Sequence, residues 1–411
     1  MMYIVLLPSV FSQVENNQDT VKAVVNTSEI TPKIGKDTVV KHEISPLDIS
    51  KNRGLFIVTN DGRMQLRILG SVRFSAFYDF VELPIKNTFN TYYIPTGDNN
   101  YKMPNFHNSL SQTRMGFEIT RVTEKRTVFI RIETDFAGPE GRYRIRHAYG
   151  QIGGFLLGQT WSLFSNVSDL PTMVDKNGST GSISLRNPQI RYGRDNKKLR
   201  WAVGLEYSKP DLYGLVHDST GQNFSFIQVI PDITGRIGTQ GKFGSIQLSF
   251  LAKSTTIKKP DNTTDYSVGL GVSLSGKLNI TEKQKIYYQY TSGRSIAHYI
   301  TTFSGTGQDA VFNPETDKFE SLYTMAGFLS YGYIWNENIS TNLSVGSANI
   351  FNLDFQPDDA YRNSISVSVD AFWRIITGAR IGVSYTYGQR WDKGGDTGVA
   401  GRIWALFYYD F

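Results

Sequence analysis

Apolar and polar residues alternate along most of the chain with a period of two. Between residues 64 and 80, every even-numbered residue is apolar, aromatic or glycine, whereas the odd-numbered residues include Arg67, Arg73 and Asp79. Successive side chains of a β-strand point to opposite faces of its sheet, so this period predicts a strand. An apolar face beside a charged face further predicts lipid on one side of the strand and water on the other.

The same alternation recurs in sixteen segments of the chain. They are 64–80, 109–121, 127–137, 142–152, 154–160, 187–193, 199–208, 224–238, 243–255, 265–276, 284–294, 320–335, 338–351, 362–374, 379–390 and 400–411. Short connections alternate with long ones, which is typical of outer-membrane barrels, where turns face the periplasm and loops face outward. The pattern therefore predicts an all-β protein in which residues 54–411 form a single 16-stranded antiparallel transmembrane β-barrel.

The last strand indicates how this barrel closes. Residues 401–411 place an apolar and aromatic row on one face, and the chain stops at Phe411. In a bilayer, each unpaired amide along a free edge would cost several kcal/mol, so this strand must pair with another and close the sheet. An aromatic terminal strand also resembles the one that outer-membrane barrels present to the barrel assembly machinery. That machinery and outer-membrane lipid are therefore predicted partners.

The first 53 residues lack the alternation. Residues 3–11 form a short apolar run followed by Ser12, which is typical of a secretory signal peptide over residues 1–12, and a buried strand is the alternative. The basic leader of such a peptide is missing, which suggests that the natural start lies upstream. Residues 13–53 are polar without a sustained period, so they are predicted to form a flexible periplasmic segment.

Composition removes several classes of function. No run of about 18 apolar residues is present, so no membrane-spanning helix is predicted. The chain has no cysteine, which excludes disulfides and thiolate metal sites. Its net charge of +6 comes from basic residues spaced singly, without the cluster that a nucleic acid requires. The absence of a phosphate-binding loop, a nucleophile motif and a metal-spaced histidine pair predicts no enzyme activity, cofactor or metal.

Charged residues on the polar parity are predicted to line a water-filled lumen. The candidate pore-lining residues are Arg67, Arg73, Arg114, Arg131, Arg142, Arg144, Arg146 and Arg191, with Asp169 and Asp175 in a loop. The densest group is Arg142, Arg144 and Arg146, whose side chains would lie about 6.5–7 Å apart on one strand face. Such a row attracts small anions. The alternative is that these arginines pair with Glu133 and Asp135 of the neighbouring strand.

The loop over residues 161–186 is long, rich in Ser, Asn and Gly, and lies between two short strands. This placement predicts a constriction loop folded into the barrel, with Asp169, Asp175 and Lys176 facing the arginine row. An ordinary external loop is the alternative.

Some polar residues fall on the outward parity of the second and fourth predicted strands. They are Ser111, Thr113, His147 and Gln151. Polar groups are unfavourable against lipid, so this wall is predicted to be buried against neighbouring subunits. The alternatives are a position at the lipid headgroups or a shift of strand register.

Three motifs are similar to those of the DcaP-like porins of Gram-negative outer membranes. They are RHAYGQ at 146–151, LGQTW at 157–161 and RNPQIRY at 186–192. The resemblance is specific over about residues 140–195 and diffuse along the rest of the barrel. It implies a sixteen-stranded homotrimer that passes small organic anions, notably dicarboxylates, through an arginine-lined constriction. The arginines that match the motifs are Arg144, Arg146, Arg186 and Arg191.

Two features depart from that family. Thr172 and Met173 occupy positions where another aspartate of the infolded loop is expected, and the N-terminal segment is too short for the coiled coil of some relatives. The combined prediction is a passive diffusion channel in the outer membrane for small hydrophilic solutes, with a preference for anions such as dicarboxylates. The alternatives are a non-selective porin, a structural barrel and a barrel enzyme.

Overall fold

Sixteen antiparallel strands close into a barrel in the computed structural model. The structure describes residues 45–46, 48–51, 53–97, 103–196, 199–208, 211–212, 224–259 and 261–411, together with the backbone of Val21–Val24. The predicted signal peptide and most of the segment 13–53 lie outside the described residues. No helix in the described part of the chain is long and apolar enough to cross a membrane.

The barrel strands follow the order of the chain. They are β1 (Met64–Asp79), β2 (Asn105–Ser109 and Arg114–Val122), β3 (Thr127–Asp135), β4 (Arg144–Ile152), β5 (Phe155–Trp161), β6 (Arg186–Asp195), β7 (Arg200–Glu206), β8 (Ser225–Ile227 and Asp232–Gly241), β9 (Gly244–Lys258), β10 (Thr264–Asn279), β11 (Gln284–Arg294), β12 (Tyr323–Ile334), β13 (Ile339–Phe351), β14 (Tyr361–Ile376), β15 (Ala379–Asp392) and β16 (Thr397–Asp410). Short 3-10 helices cover Thr91–Tyr93, Pro139–Gly141, Val167–Asp169 and Ala297–Tyr299. All sixteen predicted strands are therefore confirmed.

The last strand pairs with the first. The register runs from Arg402 opposite Asp79 to Asp410 opposite Ser71. Phe411 then exchanges two backbone hydrogen bonds with Gly70, at 2.9 and 3.1 Å. The terminal edge is thus fully paired, as the cost of unsatisfied amides in lipid requires.

Two shorter strands precede the barrel. Leu55–Thr59 pairs with the start of β1, where Leu55 lies opposite Ile68, and Val21–Val24 pairs with Leu55–Thr59. They extend the sheet beyond the end of β16, at the periplasmic side of the barrel.

The two faces of the strands differ as the alternation predicts. In β1, Val72 and Phe74 are 48% and 43% exposed on the outer face, whereas Arg73 between them is fully buried on the inner face. The apolar row therefore faces the bilayer, and the charged row faces the lumen.

The fourth strand departs from the predicted register. Glu133 lies opposite His147 and Thr134 lies opposite Ile145, so Arg146 is the extra residue of a β-bulge. Beyond the bulge the parity is reversed, and His147 and Gln151 are buried on the inner face. The prediction that these two residues face outward was wrong, because one inserted residue exchanges the faces of the rest of a strand.

Long loops fold into the barrel. Phe164 and Ile183 of the loop after β5 pack with Ile296, Tyr299 and Phe303 of the loop after β11. A second apolar cluster joins the loop after β1 and the loop after β5 to the barrel wall. It contains Leu83, Phe89 and Ile94 of the loop after β1, Val174 of the loop after β5, and Phe372 and Trp404 of the wall. The predicted infolded constriction loop is confirmed. It shares the lumen with the loops after β1 and after β11.

Candidate pore site

Five arginines of β1–β4 form what we call the first arginine wall. They are Arg67, Arg114, Arg131, Arg144 and Arg146. Neighbouring strands place carboxylates among them. Glu133 accepts hydrogen bonds from Arg131 at 2.5 Å and from Arg146 at 2.6 Å. Asp135 binds Arg144 in a bidentate fashion, at 3.0 and 2.7 Å, and also accepts from Arg146 at 3.2 Å.

The remaining arginines of this wall are also paired. Arg67 donates to Glu118 at 2.8 Å, and Arg114 donates to Asp48 at 2.8 Å. Asp48 belongs to the segment that was predicted to be flexible, yet its side chain is inserted among the arginines, and the carbonyls of Ser50 and Arg53 cap Arg67. These charge-assisted hydrogen bonds attach this part of the segment to the barrel wall.

Arg73 and Arg142, also predicted pore residues, have partners outside this wall. Arg73 donates to Ser71 at 2.8 Å and lies 3.8 Å from Asp410, near the junction of β1 and β16. Arg142 precedes β4, since that strand begins two residues later than predicted. Its side chain is 73% exposed and pairs with Glu140 in the outer turn, so Arg142 does not extend the arginine row.

The two loop aspartates do not face the first arginine wall. Asp169 lies 2.9 Å from Lys277 of β10 and 4.0 Å from Arg200 of β7, which places it against a different part of the barrel. Asp175 accepts backbone hydrogen bonds from Phe89 at 2.8 Å and Asn177 at 2.9 Å, so it joins two infolded loops. The predicted pairing of these aspartates with the arginine row was wrong, because the loop crosses the lumen instead of lying along one wall.

Lys176 of the same loop does approach the first arginine wall. This lysine is half-buried, and the Arg144 guanidinium repels its charge. Both effects lower the pKa of Lys176 to about 8. At neutral pH most of these ammonium groups are still charged, and the charge is lost as the pH rises above 8.

Arg186 and Arg191 form a second group with Trp161 and His147, which we call the Trp161 site. The Arg186 guanidinium stacks over the indole of Trp161 at 3.8 Å, and the His147 ring lies 5.5 Å from the same indole. Arg191 donates to the carbonyl of Trp161 at 3.3 Å and to Gln189 at 3.4 Å. These contacts hold both arginines by neutral groups, without compensating their charge.

Several nitrogen atoms of the Trp161 site lack partners. Within the described residues, Nε of Arg186, Nε1 of Trp161 and Nε2 of His147 are buried and make no hydrogen bond. A buried donor without an acceptor is unfavourable by about 1–3 kcal/mol. A carboxylate that reached these groups would accept hydrogen bonds from them and balance the guanidinium charge.

Sequence reasoning missed three components of this region. The carboxylate of Asp48 lies in a segment without pattern, and the inward turn of His147 depends on the bulge. Trp161 was part of a motif, but its contact with Arg186 joins the two ends of the constriction loop and has no local signal. Among the described residues, no group of three or more His, Cys, Asp or Glu side chains is placed to hold a metal ion.

Comparison with known proteins places these features in a family. A family model described as DcaP outer membrane protein matches residues 43–411. The chain is also similar to the crystal structure of the outer membrane channel DcaP of Acinetobacter baumannii, with 20% sequence identity, a TM-score of 0.74, and coverage of 85% of this chain and 97% of that one. A search of curated protein sequences found no match.

Two further solved structures show the same fold at lower identity. The anion-selective porin from Comamonas acidovorans has 9% identity and a TM-score of 0.56, with coverage of 85% of this chain and all of that one. The loop L8 deletion mutant of OmpT, an outer membrane protein of Vibrio cholerae, has 11% identity and a TM-score of 0.52, with the same coverage. The similarity to these structures concerns the porin barrel.

Proposed function

The chain belongs to the DcaP outer membrane protein family, and from that premise we propose that this outer-membrane porin passes small hydrophilic solutes by passive diffusion and prefers anions such as dicarboxylates. The observation that carries the proposal is Arg186, a half-buried arginine whose guanidinium stacks on Trp161 and whose buried Nε has no hydrogen-bond partner among the described residues. A fixed cation in a low-dielectric lumen raises the local concentration of anions.

The charge balance around Arg186 supports this proposal. The five arginines of the first arginine wall share the four carboxylates of Asp48, Glu118, Glu133 and Asp135, so most of their charge is neutralised. Arg186, Arg191 and Lys176 have no carboxylate within ion-pair distance in the described part of the chain. The first arginine wall is then a scaffold, and the excess positive charge near the constriction loop belongs to the Trp161 site and the loop lysine.

An Arg186→Gln variant should lose anion preference. Removing one charge about 4 Å from a passing ion removes about 1 kcal/mol of attraction for an anion, and a similar repulsion for a cation, in water. The anion-to-cation permeability ratio should therefore fall by at least about five-fold. The measurement is the reversal potential of a planar bilayer in a KCl gradient. Arg142→Gln is the matched control, because it removes the same charge from the outer turn and should leave the ratio nearly unchanged. Equal ratios in the wild type and in Arg186→Gln would refute the role of Arg186.

The pH dependence of selectivity provides an independent result. Lys176 is charged below its pKa of about 8 and neutral above it. Anion preference of the wild type should therefore fall between pH 7 and pH 9, and the Lys176→Gln variant should lack this fall. A wild type whose reversal potential is constant over the same range would exclude a contribution of Lys176.

We also propose that the porin is a homotrimer with the wall around β5 and β7 at its interface. Phe155–Trp161 and Arg200–Glu206 each contain 7 residues, whereas a tilted strand needs about 9–11 to cross the hydrocarbon of a bilayer. A short wall is better covered by another subunit than by lipid. The strand ending at Phe411 would be recognised by the barrel assembly machinery before β16 pairs with β1.

Matched substitutions on the outer face test the trimer. Leu157 of β5 and Leu270 of β10 are 62% and 64% exposed. Leu157→Gln should weaken the trimer in native mass spectrometry of detergent-extracted protein, and Leu270→Gln should not. Wild-type protein that is monomeric, or equal trimer content in both variants, would contradict this interface.

A further inference from the structure

A basic cavity is lined by β11–β15, which are strands outside the first arginine wall. It has a volume of about 230 Å³ and opens at the ends of β11–β15 that carry the short turns, which is the periplasmic end. Lys285 of β11, Arg374 of β14 and Arg380 of β15 line it, and Thr172 of the constriction loop also contributes to its wall. We call this cavity the vestibule.

The three cations of the vestibule face the lumen. Lys285 shares the parity of Gln289, which is buried on the inner face, while Arg374 and Arg380 share the parities of the buried Phe372 and Ser384. Lipid headgroups therefore do not neutralise these charges.

No carboxylate compensates the vestibule cations among the described residues. None of the three makes an ion pair there, and Arg380 instead lies 5.8 Å from the ring of Tyr408. The acid that lines the vestibule is Glu337, which is exposed in the turn between β12 and β13. Other lining groups are neutral donors and acceptors, such as the amide of Asn342.

The positions of the cations indicate the shape of a ligand. Arg374 and Arg380 are directly opposite each other on adjacent strands. Like charges in this position destabilise a sheet unless a counter-charge lies between them. Lys285 lies three strands across from Arg374, about 14 Å at a strand spacing of about 4.8 Å. By the strand registers it is also level with Asp370, which is four residues before Arg374 in β14. The cavity between them thus has a guanidinium pair on one side and an ammonium group on the other.

We propose that the vestibule is a second binding site, for small organic dianions, at the periplasmic mouth of the porin. One carboxylate of a dicarboxylate binds between Arg374 and Arg380, and the other binds Lys285. A solute that leaves the Trp161 site is held here before its release into the periplasm. This assignment rests on the proposed anion function for the identity of the solute, but its residues are separate from the Trp161 site.

Current block from the periplasmic side tests the vestibule. Succinate added to that side of a planar bilayer should reduce the chloride current of the wild type at lower concentration than acetate does. In the Arg374→Gln/Arg380→Gln variant, the half-blocking concentration of succinate should rise about ten-fold, which corresponds to the loss of about 1.4 kcal/mol. Arg362→Gln is the control, because it removes a charge from the outer end of the same strand and should leave the block unchanged.

Further variants separate the possible outcomes. Lys285→Gln, a single substitution, should weaken the block by succinate but not that by acetate, which keeps the proposal testable if the double variant folds poorly. Arg186→Gln should retain the periplasmic block. If the wild type is anion-selective but shows equal block by succinate and acetate, the vestibule assignment is overturned while the proposed function stands. If the wild type lacks anion preference but retains the succinate block, the proposed function fails and the vestibule stands.

Discussion

A Glu133→Ala variant is expected to be less stable than the wild type by about 3–5 kcal/mol, the usual result of removing one partner from a buried ion pair. Glu133 is fully buried and accepts hydrogen bonds from Arg131 and Arg146, and it lies 3.9 Å from Arg114. Without its carboxylate, three guanidiniums would repel each other inside the barrel with little access to water. The free energy of unfolding in guanidinium chloride, measured in liposomes, gives this difference.

Glu140→Ala is the matched control for this experiment. Glu140 lies in the turn between β3 and β4 and pairs with Arg142, but the two side chains are 77% and 73% exposed. An exposed pair contributes about 0–1 kcal/mol, so this variant should unfold close to the wild type. Similar free energies of unfolding for Glu133→Ala and Glu140→Ala would show that the first arginine wall is not the electrostatic scaffold described above.

A Gly346→Val variant is expected to raise the single-channel conductance about two-fold, because conduction through a porin is set by the radius of its constriction. The constriction loop crosses the lumen and rests on β13 at Gly346, where an added Cβ would lie 2.2 Å from the carbonyl oxygen of Thr180. That contact is with backbone, so a rotamer change cannot relieve it. The larger side chain must displace the loop and widen the water path.

Gly241→Val controls for the effect of the substitution itself. Gly241 ends β8, and no atom lies within 4 Å of a Cβ added there. Its variant should conduct like the wild type. A folded Gly346→Val barrel with unchanged conductance would mean that the loop at Thr180 does not limit the current.

The barrel could be predicted from sequence because its physical cause is local. Each strand contrasts lipid with water across its own two faces, so residues such as Val72 and Arg73 carry the information for their own orientation. The constriction loop could be located for a similar reason, since its length and polarity differ from those of the turns. The inward orientation of the arginines on β1–β4 could also be predicted, because the alternation of apolar and polar residues places them on the face opposite to lipid.

Their electrostatic role could be predicted only in part. The pairing of Arg144 and Arg146 with Asp135 and Glu133 was one of the two sequence-based interpretations, and the structure shows it. Asp48 reaches the first arginine wall from a segment without periodicity, and the bulge at Arg146 turns His147 inward through one extra residue. Asp169 and Asp175 were expected opposite the arginine row, but they contact Lys277 and Phe89 instead. The contacts of the three aspartates join positions far apart in the chain, so they depend on the path of the segment or loop that carries each aspartate. The direction of His147 depends on the register between β3 and β4.

The sequence by itself determined that this protein is a sixteen-stranded membrane barrel with a cationic lumen, because the alternation of apolar and polar residues acts within each strand. Only the tertiary structure decided which cations are not compensated by a nearby carboxylate. A guanidinium attracts an anion in proportion to its uncompensated charge, and compensation depends on which carboxylates the folded chain brings within a few ångströms of it. That is why Arg146 belongs to a neutralised network, whereas Arg186, on which the proposed anion preference rests, has no carboxylate within ion-pair distance among the described residues.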